Sequence, residues 1–436
     1  MPEALLGGLF MAVGLVAWWG VVRRTGDILH PLGSMLLFWF VIFGFAHWNV
    51  AVTYDEPYYA LPFELRTYVV VLSAALVFAF GFWLIDPRLG RLDAVDLAKQ
   101  LRGGVRIGRL RALTLVLFLM ASATTVYFIS LIGEIPLFSP RVDELRQIWK
   151  RPLIGYVYDL HYVVALFATI LVDRARSGRE RVFWVGLALA SLVQLAFGAV
   201  RLSPLTGIVW AAVYIVYRRG GRVRLRQLAV LGLVVFSVST LIEYYRRTPI
   251  RLNPELANPR LDLSLPATLW GHTAASFKNL QFTLEKHVPF LGMGATSFDL
   301  AKTVAPGLRA RDQEISYRYG VHNTTTYLVP LYMDFGWFGL LVMPGVYGAL
   351  TALVYRRFRE RGGLFWLIIY IDFFVAVVLA FRTHKFLGNT LIFFGAVGLV
   401  AQIIAGREPE ADIEEDVEED VAGWMPGALP QTVPST

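Results

Sequence analysis

The sequence predicts an all-α polytopic membrane protein, and three observations predict it. Of 436 residues, 56% are hydrophobic and only 17% charged, against about 25% charged in an ordinary soluble domain. Apolar stretches close to the length that a hydrocarbon core of about 30 Å requires recur along the chain. Clusters of arginine separate them and sort the intervening loops onto two sides. Cysteine is absent, so disulfides and thiolate metal sites are excluded.

The expected spans are roughly 4–22, 32–52, 67–85, 112–133, 154–172, 183–200, 203–217, 228–243, 326–355, 364–381 and 390–405. The first follows Met1-Pro2-Glu3 rather than a basic start and is long enough to cross, so it reads as a span and not as a cleavable signal peptide. The short spans abut Pro or Arg and read as tilted or partly re-entrant. Arg23–Arg24, the loop Asp86–Arg111, Asp173–Arg181, Arg218–Arg226, Arg356–Arg361 and Arg407 all fall on one side, which the positive-inside bias makes the cytoplasm. The amino terminus is then expected outside. The tail 408–436 is expected inside and disordered: Glu408–Asp420 carries nine carboxylates and no base, with no apolar periodicity after it.

One loop breaks the charge rule. Tyr244 to about Tyr327 falls on the outer side while carrying ten Lys or Arg. An anionic ligand at the outer leaflet would explain basic residues kept on the disfavoured side. Within it, Trp270, Ala274, Phe277, Leu280, Leu284 and Val288 recur at helical spacing over Leu269–Val288, which predicts an amphipathic helix lying on the leaflet or capping a cavity.

Four segments bring arginine to that outer face: Pro136–Arg146 with Arg141, Asp143, Glu144 and Arg146; Gly198–Pro204 with Arg201 in a tight turn; Tyr244–Arg247 with Arg246 and Arg247; and Arg318–Tyr327 with His322 and Asn323. Arginine matches phosphate bidentately and keeps its charge. The plainer reading of any one of them is a snorkelling anchor, and of the general arginine excess a codon bias. Asp334, in Asp334-Phe335-Gly336, follows near the outer end of a span, where an ionisable group is a functional candidate unless it merely pairs with an arginine. Asp372, in the middle of the next span, reads as a proton-relay residue or equally as a hydrogen-bonded packing residue. No Asp-x-Asp occurs, so a carboxylate-held metal is not expected. No internal repeat supports an inverted-repeat transporter.

Taken in order, Pro136–Arg146, Gly198–Ser203 and above all His322–Gly339, with Asn-x-x-Thr-Tyr and Asp-Phe-Gly-x-x-Gly, resemble the Wzy-type oligosaccharide repeat-unit polymerases of O-antigen and exopolysaccharide synthesis. The resemblance covers most of the chain except the acidic tail. It implies a GT-C-like transmembrane glycosyltransferase domain over 1–407, with an external loop at 244–325, in a bacterial plasma membrane. It implies transfer of a growing glycan from undecaprenyl pyrophosphate to a hydroxyl of the next lipid-linked repeat unit, without metal or other cofactor. His322, Asp334 and Arg201 would then be catalytic. Arg141, Arg146, Arg246, Arg247, Arg318, Asn323 and Tyr327 would bind substrate. The implied partners are the lipid-linked donor and acceptor and the bilayer, with a chain-length regulator and a flippase nearby and no nucleic acid. The O-antigen ligases share this architecture and remain an alternative. So does a transporter or flippase that binds an anionic lipid through the same arginines and uses Asp372 for proton coupling.

Overall fold

The computed structural model describes residues 2–48, 61–90, 92, 94–103, 105–139, 141–142, 145, 154–200, 202–219, 226–227, 232, 237–238, 242, 275–285, 296–297, 307, 325–386 and 388–406. These residues fold into helices, with one isolated bridge between Val105 and Gly406 and no strand among them. In chain order the helices are α1 (Pro2–Thr25), α2 (Pro31–Ala46), α3 (Leu65–Ile85), α4 (Ala94–Gly103), α5 (Ile107–Ile132), α6 (Ile154–Asp173), α7 (Gly178–Phe197), α8 (Leu202–Arg218), α9 (Ala275–Glu285), α10 (Leu328–Arg361), α11 (Gly363–Val378) and α12 (Asn389–Ala405).

Six of them (α1, α3, α5, α6, α7 and α10) are long and apolar enough to cross a membrane, and α2, α8, α11 and α12 are shorter apolar helices. Leu5, Val16, Leu76, Leu119, Val126, Val182 and Ile403 turn outward on these helices. Apolar side chains facing out from apolar helices are what a bilayer solvates, so the chain is an α-helical polytopic membrane protein. Of the eleven expected spans, 228–243 lies almost wholly outside the described residues. The expected 32–52 stops as a helix at Ala46, and the expected 326–355 continues to Arg361.

The helices pack as two groups joined by α11. In one, α1 lies on α2 and α3 on α10; in the other, α6 is flanked by α5, α7 and α8. α11 touches α10, α12, α2 and α8. The contact between α3 and α10 runs through glycine: a Cβ on Gly81 would lie 2.0 Å from the Gly345 carbonyl oxygen, and one on Gly348 2.1 Å from that of Phe78. Without a hydrophobic drive between helices in lipid, such backbone approach supplies the van der Waals contact.

The two ends of the bundle differ. At the end carrying Arg23, Arg88, Arg218 and Arg359, short loops are tied by ion pairs of Arg218 with Asp173, Arg111 with Glu180, and Arg359 with Asp86 at 2.5 Å. There the buried Asp27 carboxylate accepts from the hydroxyls of Tyr217 at 2.9 Å and Tyr355 at 2.5 Å, and from the Leu29 N–H at 2.9 Å, joining α8 and α10 to the α1–α2 turn. We call this the basic end.

At the opposite end α9 does not lie flat on a leaflet. Its apolar residues Phe277, Leu280 and Leu284 are buried, and so are its polar residues Lys278, Asn279 and Gln281. Phe277 meets Trp39 and Phe43 of α2 edge-on or tilted, each at 5.0 Å. Gln281 donates to the Pro62 carbonyl at 3.2 Å, and Arg66 to that of Leu284 at 3.1 Å. α9 therefore packs on α2, α3 and α10 rather than lying free on a leaflet.

Candidate functional site

The opposite end gathers the polar groups, beginning with the arginine-bearing segments. Leu137 and Val142 form a small buried cluster with Ala199 and Ile242. The segment holding Arg141 thus packs against the turn holding Arg201 and against the residue two places before Tyr244. Ala199 takes a left-handed φ of 53° although it is not glycine, a strain that tight packing around the turn sustains. Arg141 is exposed and paired with Glu134 at 2.8 Å, and its backbone N–H donates to the Ser139 hydroxyl at 3.1 Å. Arg146, Arg201, Arg246, Arg247, Arg318, His322 and Asn323 lie outside the described residues.

Asp334 is fully buried. The Thr296 N–H lies 3.0 and 3.1 Å from its two oxygens, and the Ser297 N–H donates to one of them at 2.6 Å. The Thr296 hydroxyl also donates to the Pro330 carbonyl at 3.0 Å. This arrangement is an anchor: the carboxylate fastens a turn of the long loop to the start of α10. Two residues later Gly336, with φ of 57° and ψ of −141°, breaks α10, a conformation open to glycine and strained for other residues. Tyr327 is also buried, packed on Trp39 and Phe386, and its N–H donates to the Ala380 carbonyl at 2.9 Å.

Beyond Asp334 a polar path continues. Tyr347 lies within electrostatic range of Asp334, and its hydroxyl pairs with Nε2 of His384 at 2.7 Å. Its ring stacks on Phe386 with centroids 4.6 Å apart. His384 belongs to the connection Leu379–Gly388, which also carries Arg382 and Lys385 and is folded tightly by bonds from the Arg382 and Thr383 N–H groups to the Leu379 carbonyl.

Lys385 lies within electrostatic range of two carboxylates, Asp159 of α6 and Asp372 of α11, and of Arg382. Asp159 sits five residues inside the start of α6 and Asp372 six residues before the end of α11. At about 1.5 Å per residue, both lie roughly 8–9 Å below this end. Tyr162, Trp210 and Phe394 form an aromatic cluster, with Trp210 4.9 Å from Phe394 and 6.1 Å from Tyr162. Tyr162 also lies near Ser203, two residues after Arg201. Asp159, Asp372, Arg382, His384 and Lys385 are each half-buried. Burial pushes the Lys385 ammonium below its ordinary range, and the two carboxylates pull it back up.

Sequence reading considered Asp372 but passed over Asp159, Arg382, His384 and Lys385. The missed signal was a second carboxylate inside a span. A further cleft, of about 500 Å³, opens at the basic end among Asp86, Arg88, Arg356, Arg359 and Glu360. There Arg359 is already paired with Asp86 and Arg356 with Glu360, so the opposite end is the better candidate.

No family model, curated protein or solved structure matches this chain.

Proposed function

We propose that this chain polymerises undecaprenyl-pyrophosphate-linked oligosaccharide repeat units, acting in the plasma membrane at the end of the bundle opposite its basic loops. The observation that carries the reading is the convergence on one end of the Arg141 segment, the Arg201 turn and the chain before Arg246. Lys385 and Arg382, in the connection after α11, lie at that same end.

Cleaving a sugar–pyrophosphate bond develops negative charge on the departing phosphate. Fixed cations in a poorly hydrated groove stabilise that charge without reorganising. Arg201, Arg246, Arg247 and Arg318, with Lys385 and Arg382, supply such cations from segments far apart in sequence. His322, Asp159 and Asp372 are the available acceptors for the proton of the attacking hydroxyl. Asp334 anchors Thr296 and Ser297 of the long loop to α10, and the polyprenyl tails would lie between the helices. Each charge-assisted hydrogen bond to phosphate is worth about 1.5–3 kcal/mol, so removing one arginine lowers the rate on the order of 10- to 100-fold.

Two other readings remain. O-antigen ligase chemistry would use the same donor. Transport of an anionic lipid-linked substrate gains from one observation, the pair of carboxylates beside a lysine inside the helical bundle, a combination suited to proton coupling. The lipid-linked products of a deletion strain separate the three. Single repeat units on the carrier support polymerisation, long polymer unattached to its final acceptor supports ligation, and substrate trapped on the cytoplasmic leaflet supports transport.

A further inference from the structure

The cleft at the basic end takes no part in the proposed chemistry. Its volume, about 500 Å³, falls within the roughly 300–1,000 Å³ of pockets that hold small ligands. It lies between the end of α3 and the last turns of α10, two helices that pack together through Gly81 and Gly348. One wall is fixed by Arg359, which donates to Asp86 at 2.5 Å and to the Gly90 carbonyl at 2.7 Å. Its guanidinium carbon lies 4.7 Å from the centre of the Tyr355 ring. These contacts fasten the turn after α3 onto α10. Leu89 within that turn holds a left-handed φ of 42°, a strain that the surrounding contacts sustain.

The other two arginines lining the cleft are placed differently. Arg88 is exposed, and no hydrogen bond or ion pair holds it among the described residues. Arg356 commits its Nε to Glu360 at 2.7 Å, which leaves both terminal nitrogens without a partner among the described residues. The two carboxylates are already engaged, Asp86 by Arg359 and Glu360 by Arg356 and by Arg357 at 3.4 Å. Three guanidinium groups against two carboxylates give the lining one surplus positive charge. A phosphodiester, with one negative charge and two unsubstituted oxygens, matches both that surplus and the forked guanidinium geometry. The cleft also adjoins surface that lipid covers. Trp83 and Leu84 near the end of α3, and Leu353 one turn before Arg356 on α10, are exposed. Tryptophan is favoured at the depth where acyl chains meet headgroups.

We infer that this cleft binds the headgroup of a phospholipid with a single net negative charge, drawn from the leaflet at the basic end. Arg88 and Arg356 hold the phosphate, Arg359 keeps the wall in place, and the acyl chains run along Trp83, Leu84 and Leu353. A zwitterionic phospholipid is disfavoured, because its ammonium group meets only carboxylates that are already paired. A soluble phosphate ester supplies the same charge but leaves the apolar surface uncovered. The site stands apart from the glycosyl transfer proposed above and does not depend on it.

The test uses the full chain, purified in dodecyl maltoside and stripped of lipid, with dioleoyl phosphatidylglycerol as the probe. Native mass spectrometry counts the lipid retained, and melting curves follow the stabilisation that binding confers. The wild type is expected to retain one phosphatidylglycerol per chain in preference to phosphatidylcholine, and to melt at a higher temperature with it. Glycerol 1-phosphate at the same concentration should leave the melting curve unchanged. Arg88→Gln with Arg356→Gln should weaken retention roughly 10-fold or more. Arg179→Gln with Arg181→Gln removes two exposed charges from the start of α7, outside the cleft, and should bind as the wild type does. If the cleft pair lowers the folded yield, Arg88→Gln alone breaks no bond and should still weaken binding about 3-fold or more. Undiminished binding in the cleft variants, an equal loss in the α7 pair, equal retention of phosphatidylcholine, or an equal shift with glycerol 1-phosphate would each overturn the inference.

Discussion

Asp334 and Arg201 divide what a single residue contributes to this site. The Asp334 carboxylate accepts backbone N–H groups from Thr296 and Ser297, so its first role is to hold the loop. In Asp334→Asn the amide group turns a donor toward a donor and leaves a buried N–H unpaired, at a cost of about 1–3 kcal/mol. The expected outcome is a lower melting temperature in detergent and faster proteolysis within 286–325. Unchanged melting and proteolysis with lost activity would make Asp334 a chemical group instead. Arg201 is predicted to behave otherwise. Lysine keeps the charge but loses the planar fork that matches phosphate, whereas a snorkelling anchor accepts lysine readily. Arg201→Lys should therefore insert at normal abundance and lose most polymer, and wild-type polymer from a well-expressed variant would remove the clamp role.

Among the elements, α9 and the contact of α3 with α10 make the clearest predictions. The Lys278 ammonium lies 3.9 Å from the centre of the Phe63 ring and donates to the Leu61 carbonyl. Burial pushes it down to about 8, although Glu3 and Glu285 pull the other way. From about pH 8 up to lysine's ordinary value near 10.5, the unfolded chain binds a proton that the folded one has lost. Stability therefore rises with pH across that window. Melting curves from pH 8 to pH 10 should show this gain in the wild type and lack it in Lys278→Met; a parallel pH dependence in the two would contradict it. Gly348→Leu should separate α3 from α10, since its Cβ would meet the Phe78 carbonyl at 2.1 Å, and its folded yield should fall severely. How much of this was legible in the sequence follows the range of the signal. The apolar runs that became α3, α5 and α6 depend on composition over one helix, and they stand out. Asp334 was placed correctly near the end of a span, but its acceptance of N–H groups from a loop 37 and 38 residues away left no local trace. Asp159 and Lys385 are 226 residues apart, so nothing in their spacing announces that each lies within electrostatic range of the other.

For the whole molecule, the two ends must face opposite sides of a membrane. The chain has no native cysteine, so single cysteines report cleanly. Ser297 is a poor reporter, being buried beside Asp334, whereas Phe138 is 58% exposed at the opposite end and Arg88 is exposed at the basic end. In intact cells, an impermeant thiol reagent should label Phe138→Cys and spare Arg88→Cys until the membrane is opened. The reverse pattern would invert the orientation and move the candidate site to the cytoplasmic side.

The central claim is that this end of the bundle joins lipid-linked glycans, and reconstitution tests it most directly. Purified protein in liposomes would be supplied with one lipid-diphosphate-linked repeat unit and no other enzyme, and the lipid-linked saccharides would be sized over time. The account predicts a ladder of products lengthening by one repeat unit, absent with Arg201→Lys. Repeat units that stay single while crossing from one leaflet to the other would contradict it and make the chain a transporter.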